Sequence, residues 1–202
     1  MHAAHAALAD AGVTTDVVRP GADLDGYRLL VVPALHLISD ADAAAIARAV
    51  ENGATALITF FSGIVDEEDR VRTGGYPGAF RELLGIRSEE FAPLRPDESV
   101  TLSDGTTGTI WSERLKTTGA EVVASFVDGP AAGGPAITRR AAGEGEAWFL
   151  GTQPARDDYR RLIARLAASA GIAPTPGAGP DVEIVRRTGA VSYTHLTLPT
   201  KA

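Results

Sequence analysis

Tyr27-Arg-Leu-Leu-Val-Val32, closed by Pro33, is a near-continuous apolar run. A strand with one wet face alternates apolar and polar residues, so an unbroken run is the pattern of a strand buried on both faces. Ala54-Thr-Ala-Leu-Ile-Thr-Phe-Phe61 reads the same way. Between them Ser39 is placed to cap a helix running to Asn52, with Asp40 and Asp42 in a first turn that the helix dipole favours. Ile46, Ala49 and Val50 form its inward stripe and Gly53 stops it. Strand, helix, strand with such apolar strands means a parallel sheet with helices against its faces.

Outward from this unit the signals are shorter. Residues 2–10 read as a helix closed by Gly12, residues 13–18 as a β-branched strand, and residues 19–26 as a polar turn. Downstream, residues 62–78 form a long polar loop, and residues 77–84 a short helix opened by Pro77 and closed by Gly85. The stretch 86–147 is β-rich, with strands predicted over 120–127 and 136–140, and 146–150 is a further apolar strand. Residues 156–170 are an amphipathic helix, with Tyr159, Leu162, Ile163 and Leu166 on one face and Arg160, Arg161 and Arg165 on the other. Residues 182–187 are one more strand.

The expected architecture is α/β: three layers around a mostly parallel, flavodoxin-like sheet. Such a sheet has its first strand between the second and third. Residues 13–18 and 27–32 read as the second and third, and the helix before them starts at Met1 without a capping residue. The first strand is therefore expected to be missing, and pairing between 13–18 and 27–32 is expected to be absent or irregular. The predicted divisions are an N-terminally truncated α/β domain over 1–172, a Pro/Gly linker over 173–180, the start of a β-domain over 181–190, and a non-native tail over 191–202. All 17 arginines precede that tail, whose vocabulary turns abruptly to Tyr, Thr, His, Leu and Lys.

Composition bounds the function. The chain is 202 residues long and 45% hydrophobic, enough for a packed core. A net charge of -7 argues against nucleic acid or an anionic membrane as partner. Cysteine is absent, which removes disulfides, thiolate metal sites and a Cys nucleophile together, and fits a reducing cytoplasm. No apolar run approaches the roughly 18 residues of a membrane span.

No residue set makes a convincing active site. Asp66-Glu67-Glu68-Asp69 is the densest acidic cluster, but it lacks the Asp/Asn/Gly spacing of a calcium loop and reads as a solvated or ion-paired loop. Ser62 follows a parallel strand, where α/β hydrolases carry a nucleophile, yet Phe60-Phe61-Ser62-Gly63-Ile64 lacks the first glycine of that elbow. His36 is the histidine nearest to it in sequence; His2 and His5 share one helical face without a third metal ligand, and His195 lies in the tail. Gly74-Gly75 and Gly143-Glu-Gly145 are turns rather than phosphate loops. Trp111 and Trp148 read as core or interface. Catalytic, cofactor-binding and metal-binding residues are each expected to be none, and no cofactor is expected.

Several segments carry a family resemblance: Tyr27-Arg-Leu-Leu-Val-Val-Pro-Ala-Leu35, Val50-Glu-Asn-Gly-Ala-Thr55, and above all Phe61-Ser-Gly-Ile-Val-Asp-Glu-Glu-Asp-Arg-Val-Arg72 with its continuation Thr73-Gly-Gly-Tyr-Pro-Gly-Ala-Phe-Arg-Glu-Leu-Leu-Gly85. Pro135-Ala-Ile-Thr-Arg139, Gly143-Glu-Gly-Glu-Ala147 and Leu150-Gly-Thr152 complete the pattern. Together they resemble the middle, trimerisation domain of glycoside hydrolase family 42 β-galactosidases. The resemblance implies a parent with a catalytic (β/α)8 barrel first, this domain second and a small β-domain third. It implies retaining hydrolysis of terminal β-galactosides by two carboxylates, both in the absent barrel, so that none maps onto Glu51, Glu67 or Glu113. It implies a homotrimer, with galactoside reached only through the barrel. The domain is also similar to the class I glutamine amidotransferase fold, whose catalytic Cys this chain lacks. Ser192-Tyr-Thr-His-Leu-Thr-Leu-Pro-Thr200 resembles translated sequencing-adaptor readthrough.

Residues 62–78 are longer than a strand-to-helix join requires, and long ordered loops usually have a task. Arg70, Arg72 and Tyr76 are therefore expected to face the barrel or a neighbouring subunit. The alternative reading is a stand-alone α/β ligand-binding module without catalysis; an α/β hydrolase built on Ser62 is a third.

Overall fold

The computed structural model describes residues 1–176, 183–187 and 193–197. In chain order its first elements are α1 (His2–Asp10), β1 (Leu29–Val32), α2 (Asp40–Glu51), β2 (Thr55–Thr59), α3 (Arg81–Leu84) and β3 (Ile86–Pro93). There follow β4 (Val100–Thr101), β5 (Thr107–Thr109), β6 (Trp111–Thr117), β7 (Glu121–Ser125), β8 (Pro135–Ala142) and β9 (Gly145–Leu150). The chain ends with β10 (Gln153–Pro154), α4 (Arg156–Ser169), β11 (Glu183–Arg187) and β12 (Tyr193–Thr197). These divide into two compact units, Arg19–Ala155 and Met1–Val18 with Arg156–Ala202.

Residues 19–155 are organised by a five-stranded sheet in the order β1-β2-β9-β8-β7. β1, β2 and β9 run parallel, with Leu30 opposite Ala56 and Leu57 opposite Trp148. β9-β8 and β8-β7 are antiparallel. The sheet is thus mixed, which corrects the mostly parallel expectation. The reason is local: Gly143 and Glu144 let β8 turn straight back into β9, and so short a connection makes an antiparallel pair. β2 is buried at every position, as its unbroken apolar run requires, whereas β1, expected to be buried on both faces, lies at the sheet edge and alternates half-buried with buried residues. The Ser39 hydroxyl caps α2 by accepting from Asp42 N–H at 3.1 Å. Ala43, Ile46 and Val50 of α2 then pack with Ala56 and Ile58 of β2, Phe149 of β9, Phe80, and Leu84 of α3 in one core. Residues 77–80 form a turn rather than the first part of a helix: Phe80 N–H bonds Pro77 C=O at 3.0 Å, and only Arg81–Leu84 is helical before Gly85 closes it in the left-handed conformation.

A glycine is needed where β9 passes under the α2–β2 connection. A Cβ on Gly145 would lie 2.2 Å from Ala54 C=O and 2.3 Å from Val50 C=O, both backbone atoms. β3 and β6 pair as a separate antiparallel ribbon. It carries Glu113, 2% exposed, directly opposite Phe91. Burial pushes the Glu113 carboxyl up to about 7, against smaller opposing effects of the Ser88 hydroxyl and the Trp111 indole. The three groups are neighbours, yet Glu113 Oε1, Ser88 Oγ and Trp111 Nε1 each lack a partner of full hydrogen-bond geometry.

In the other unit, α1 lies against α4. Tyr159, Leu162, Ile163 and Leu166 are buried on the predicted face of α4. Arg156 grips Asp10 with two hydrogen bonds, of 2.7 and 2.9 Å, which hold the Asp10 carboxyl below its usual range. Residues 13–18 are not a strand. Val13 N–H bonds Leu8 C=O and finishes α1, while Val17 and Val18 are 66% and 44% exposed, so β-branched propensity there finds no apolar surface to bury against. β11 and β12 pair antiparallel. The expectations placed on 177–182, 188–192 and 198–202, which include part of the linker and of the tail, lie outside the described residues.

Two measurements follow from this packing. Gly145→Ala is expected to lower stability by about 3 kcal/mol, since the new methyl meets backbone that cannot move aside; an unchanged urea midpoint would refute the close approach. For Glu113 the folded pKa is raised, so its contribution is fully present below the unfolded value near 4.5 and is lost as pH rises through 7. Glu113→Gln, which cannot ionise, should gain about 2–3 kcal/mol on the wild type between pH 5 and pH 8. Parallel pH profiles of unfolding for the two proteins would show that Glu113 is not buried as a neutral acid.

Candidate functional site

Ligands in open α/β sheets meet the carboxyl ends of parallel strands, because the loops diverge there. At that end β1 continues into Ala34 at φ 47 and His36, and β2 into Phe60, Phe61 at φ 59 and Ser62. The two loops are stitched together by hydroxyls. Thr59 Oγ1 accepts from Ala34 N–H at 2.8 Å; Ser62 Oγ accepts from Leu35 N–H at 3.1 Å and donates to Val32 C=O at 3.4 Å. Ser62 is completely buried, so its hydroxyl is a structural tie and not a nucleophile. The residue in the left-handed turn two positions beyond the end of β2, near where an α/β hydrolase places its nucleophile, is Phe61. A phenyl ring has no lone pair or acidic proton for that task.

Instead the site is a cluster of rings. His36 stacks on Phe61 with centroids 4.7 Å apart, Phe60 on Trp111 at 5.6 Å, and Tyr76 on Phe91 at 4.6 Å. Phe61 meets Trp111 edge-on at 5.2 Å and Phe91 at 6.0 Å. The β3–β6 ribbon supplies two of these rings. Trp111 and Glu113, two residues apart, share a face with Phe91, so the buried carboxyl lies beside the rings. Next to Trp111, Ile110 stands 58% exposed at φ 70. For a β-branched residue this is a true backbone outlier, costing on the order of 1–2 kcal/mol. Leu37 and Val71 bridge to either side of Val65, which is buried, while they are themselves 43% and 59% exposed.

The residues expected to form an interface are divided by the structure. Arg70 is exposed and ion-paired with Glu68. Tyr76 is half-buried against Phe91. Arg72 turns inward: it pairs with Asp40 of α2 and donates from Nη2 to Ile38 C=O at 2.7 Å, which pins the loop to the helix. In the acidic cluster, Asp66 Oδ1 accepts from Glu68 and Arg70 N–H at 3.0 and 2.9 Å, closing a turn, and Asp69 takes φ 61. Among the described residues no three of His, Asp or Glu converge on a metal position. His2 and His5 lie on α1, and Trp148 is buried in β9 under Arg139, whose guanidinium lies 5.8 Å from the ring centroid. Sequence reasoning missed Phe61, Phe91 and Ile110. The doubled phenylalanine before Ser62 was the available signal, read one residue too late.

Residues 1–173 match the family described as the β-galactosidase trimerisation domain. A β-galactosidase of Arthrobacter sp is 50% identical over 190 residues, covering 94% of this chain and 27% of that protein. β-Galactosidase BgaB of Geobacillus sp. (strain Y412MC61) is 37% identical over 179 residues, covering 87% and 26%. Among solved structures, the β-galactosidase of Bacillus circulans sp. alkalophilus superposes with a TM-score of 0.91 at 30% identity, over 96% of this chain and 30% of that one. The enzyme of the haloarchaeon Halorubrum lacusprofundi gives 0.86 at 28% identity, over 97% and 29%. The chain thus spans about a quarter of the length of the curated relatives it matches. A match through the whole of residues 1–173, with the long 61–85 string inside it, makes this chain a member of the trimerisation-domain family of glycoside hydrolase family 42 β-galactosidases.

Proposed function

We propose that this chain is the self-association domain of an enzyme that hydrolyses terminal β-galactosides with retention, its two catalytic carboxylates lying on a barrel outside these 202 residues. The match of residues 1–173 to a trimerisation domain carries the reading. The site chemistry supports it: Phe61 occupies the elbow and the Ser62 hydroxyl is sealed, so this domain contributes surface rather than reaction. The assembly is a homotrimer, and galactoside is met only by the barrel. An amidotransferase-like sheet, within the broader flavodoxin-like class, is supported by the parallel order β1-β2-β9 and by left-handed Phe61 in the turn after β2. A cytoplasmic location is supported by the absence of cysteine; among the described residues no helix is long and apolar enough to cross a membrane. Residues 191–202 are read as a foreign tail on their change of vocabulary alone; within them Tyr193–Thr197 pairs with Glu183–Arg187.

Within the loop, exposed Arg70 and half-buried Tyr76 face the barrel or a neighbouring subunit, and Arg72 braces them from inside. The purified chain is expected to leave a nitrophenyl β-galactoside unhydrolysed and to sediment at three chain masses. Turnover that survives repurification, and falls on mutating Glu67 or Glu68, would overturn the assignment.

A further inference from the structure

The two edges of the five-stranded sheet are built differently. At one edge β7 slips register between Val122 and Ala124 and again between Ala124 and Ser125, and its Glu121 is ion-paired with Arg139. Irregular pairing and charge are ordinary means of keeping a foreign strand off a sheet edge. β1, at the other edge, has neither. Leu29-Leu-Val-Val32 carries no charge and no proline, and it pairs with β2 in unbroken register. Thr55 N–H bonds Arg28 C=O at 2.8 Å, which in a parallel ladder turns Arg28, Leu30 and Val32 toward β2. The backbone N–H and C=O of Leu29 and Val31 therefore point outward, and among the described residues no strand meets them. Both faces of the pleat are apolar. Leu30 and Val32 are buried in the core with α2, and Leu29 and Val31 are half-buried on the opposite face. This is the composition of a strand inside a parallel sheet, placed at its rim.

We infer that the outer edge of β1 binds a further strand, parallel to it and apolar on both faces, supplied by this polypeptide from ahead of α1. Orientation and source follow from connection. Parallel neighbours are joined by a crossover, usually a helix, as α2 joins β1 to β2. α1 stands ahead of β1 in the same chain order, and a strand before α1 completes a second such unit. A second copy fits this edge less well, because two β1 edges related by a two-fold axis would pair antiparallel. The inference rests on the reading of this chain as one part of a longer enzyme, its curated relatives being about four times the span matched. The added strand bonds Leu29 and Val31 through its backbone and presents Val, Ile or Leu to both faces.

The test compares the 202-residue chain with one extended ahead of Met1. The extension is the roughly 20 residues that precede the matched region in the Arthrobacter enzyme, enough for a strand of ordinary length and its connection. Hydrogen exchange at the Leu29 and Val31 amides is the readout. In the short chain both should exchange at least about 100-fold faster than the Leu57 amide of β2, and in the extended chain they should slow toward it. A second extension, its apolar run broken by a central proline, should leave them as fast as in the short chain. Amides already slow in the monomeric short chain, or still fast in the extended one, overturn the inference. Amides that slow in the short chain only as it associates make a second copy the occupant and overturn it as well. Sedimentation of both chains reads self-association separately. An extended chain protected at Leu29 and Val31 yet monomeric sinks the self-association reading and leaves the strand; a trimer with fast amides does the reverse.

Discussion

β2 has no free edge and no free face, and the arrangement of residues 19–155 answers to that constraint. β1 occupies one edge and β9 the other, while every residue from Thr55 to Thr59 is buried. Each buried backbone group left unpaired would cost about 1–3 kcal/mol, so both neighbours must hold register along the strand. β9 can do so only by sliding beneath the α2–β2 connection, where Gly145 meets the carbonyls of Val50 and Ala54 and where Gly143 N-terminal to it lies against Glu51. The tight turn that begins there also sends β8 back antiparallel.

The same constraint produces the site. A central strand that stops abruptly at Thr59 must shed its chain sideways, and Phe61 takes the left-handed conformation that lets it do so. In a hydrolase that geometry lifts a nucleophile out of the sheet; here it presents a ring to His36, Phe91 and Trp111. The backbone device and the chemistry it can serve are therefore separable, which is why fold alone does not fix function. The hydroxyl of Ser62 shows this most directly, because the very feature that suggested chemistry is consumed in tying the loop after β2 to the loop after β1.

Electrostatics reinforce the division of roles. Arg72 ties the long loop to α2 through Asp40, leaving Arg70 and Val71 outside, so one short run contributes both anchor and surface. Glu113, buried beside the rings without an ion pair among the described residues, keeps its proton up to about pH 7 and so behaves as a neutral core group under mildly acidic conditions. The helical unit is held differently, by the Asp10–Arg156 clamp between α1 and α4.

What the sequence determined by itself was whatever depends on local pattern. The unbroken apolar runs identified β1 and β2, Ser39 identified the start of α2, the heptad-like spacing of Tyr159, Leu162, Ile163 and Leu166 identified the buried face of α4, and the 61–85 string identified the family. Those signals work because burial, capping and period act over a few residues. Tertiary structure decided the rest. Residues 13–18 have strand propensity but no surface to pair with or bury against, so propensity lost. Strand order became mixed because a glycine turn, not the composition of β8, sets direction. Arg72 looked like Arg70 in sequence and differs only because Asp40, 32 residues away, lies within its reach. The ring cluster joins residues from the ends of β2, the long loop and the β3–β6 ribbon, and no local pattern marks residues that meet only when separate elements are folded against each other.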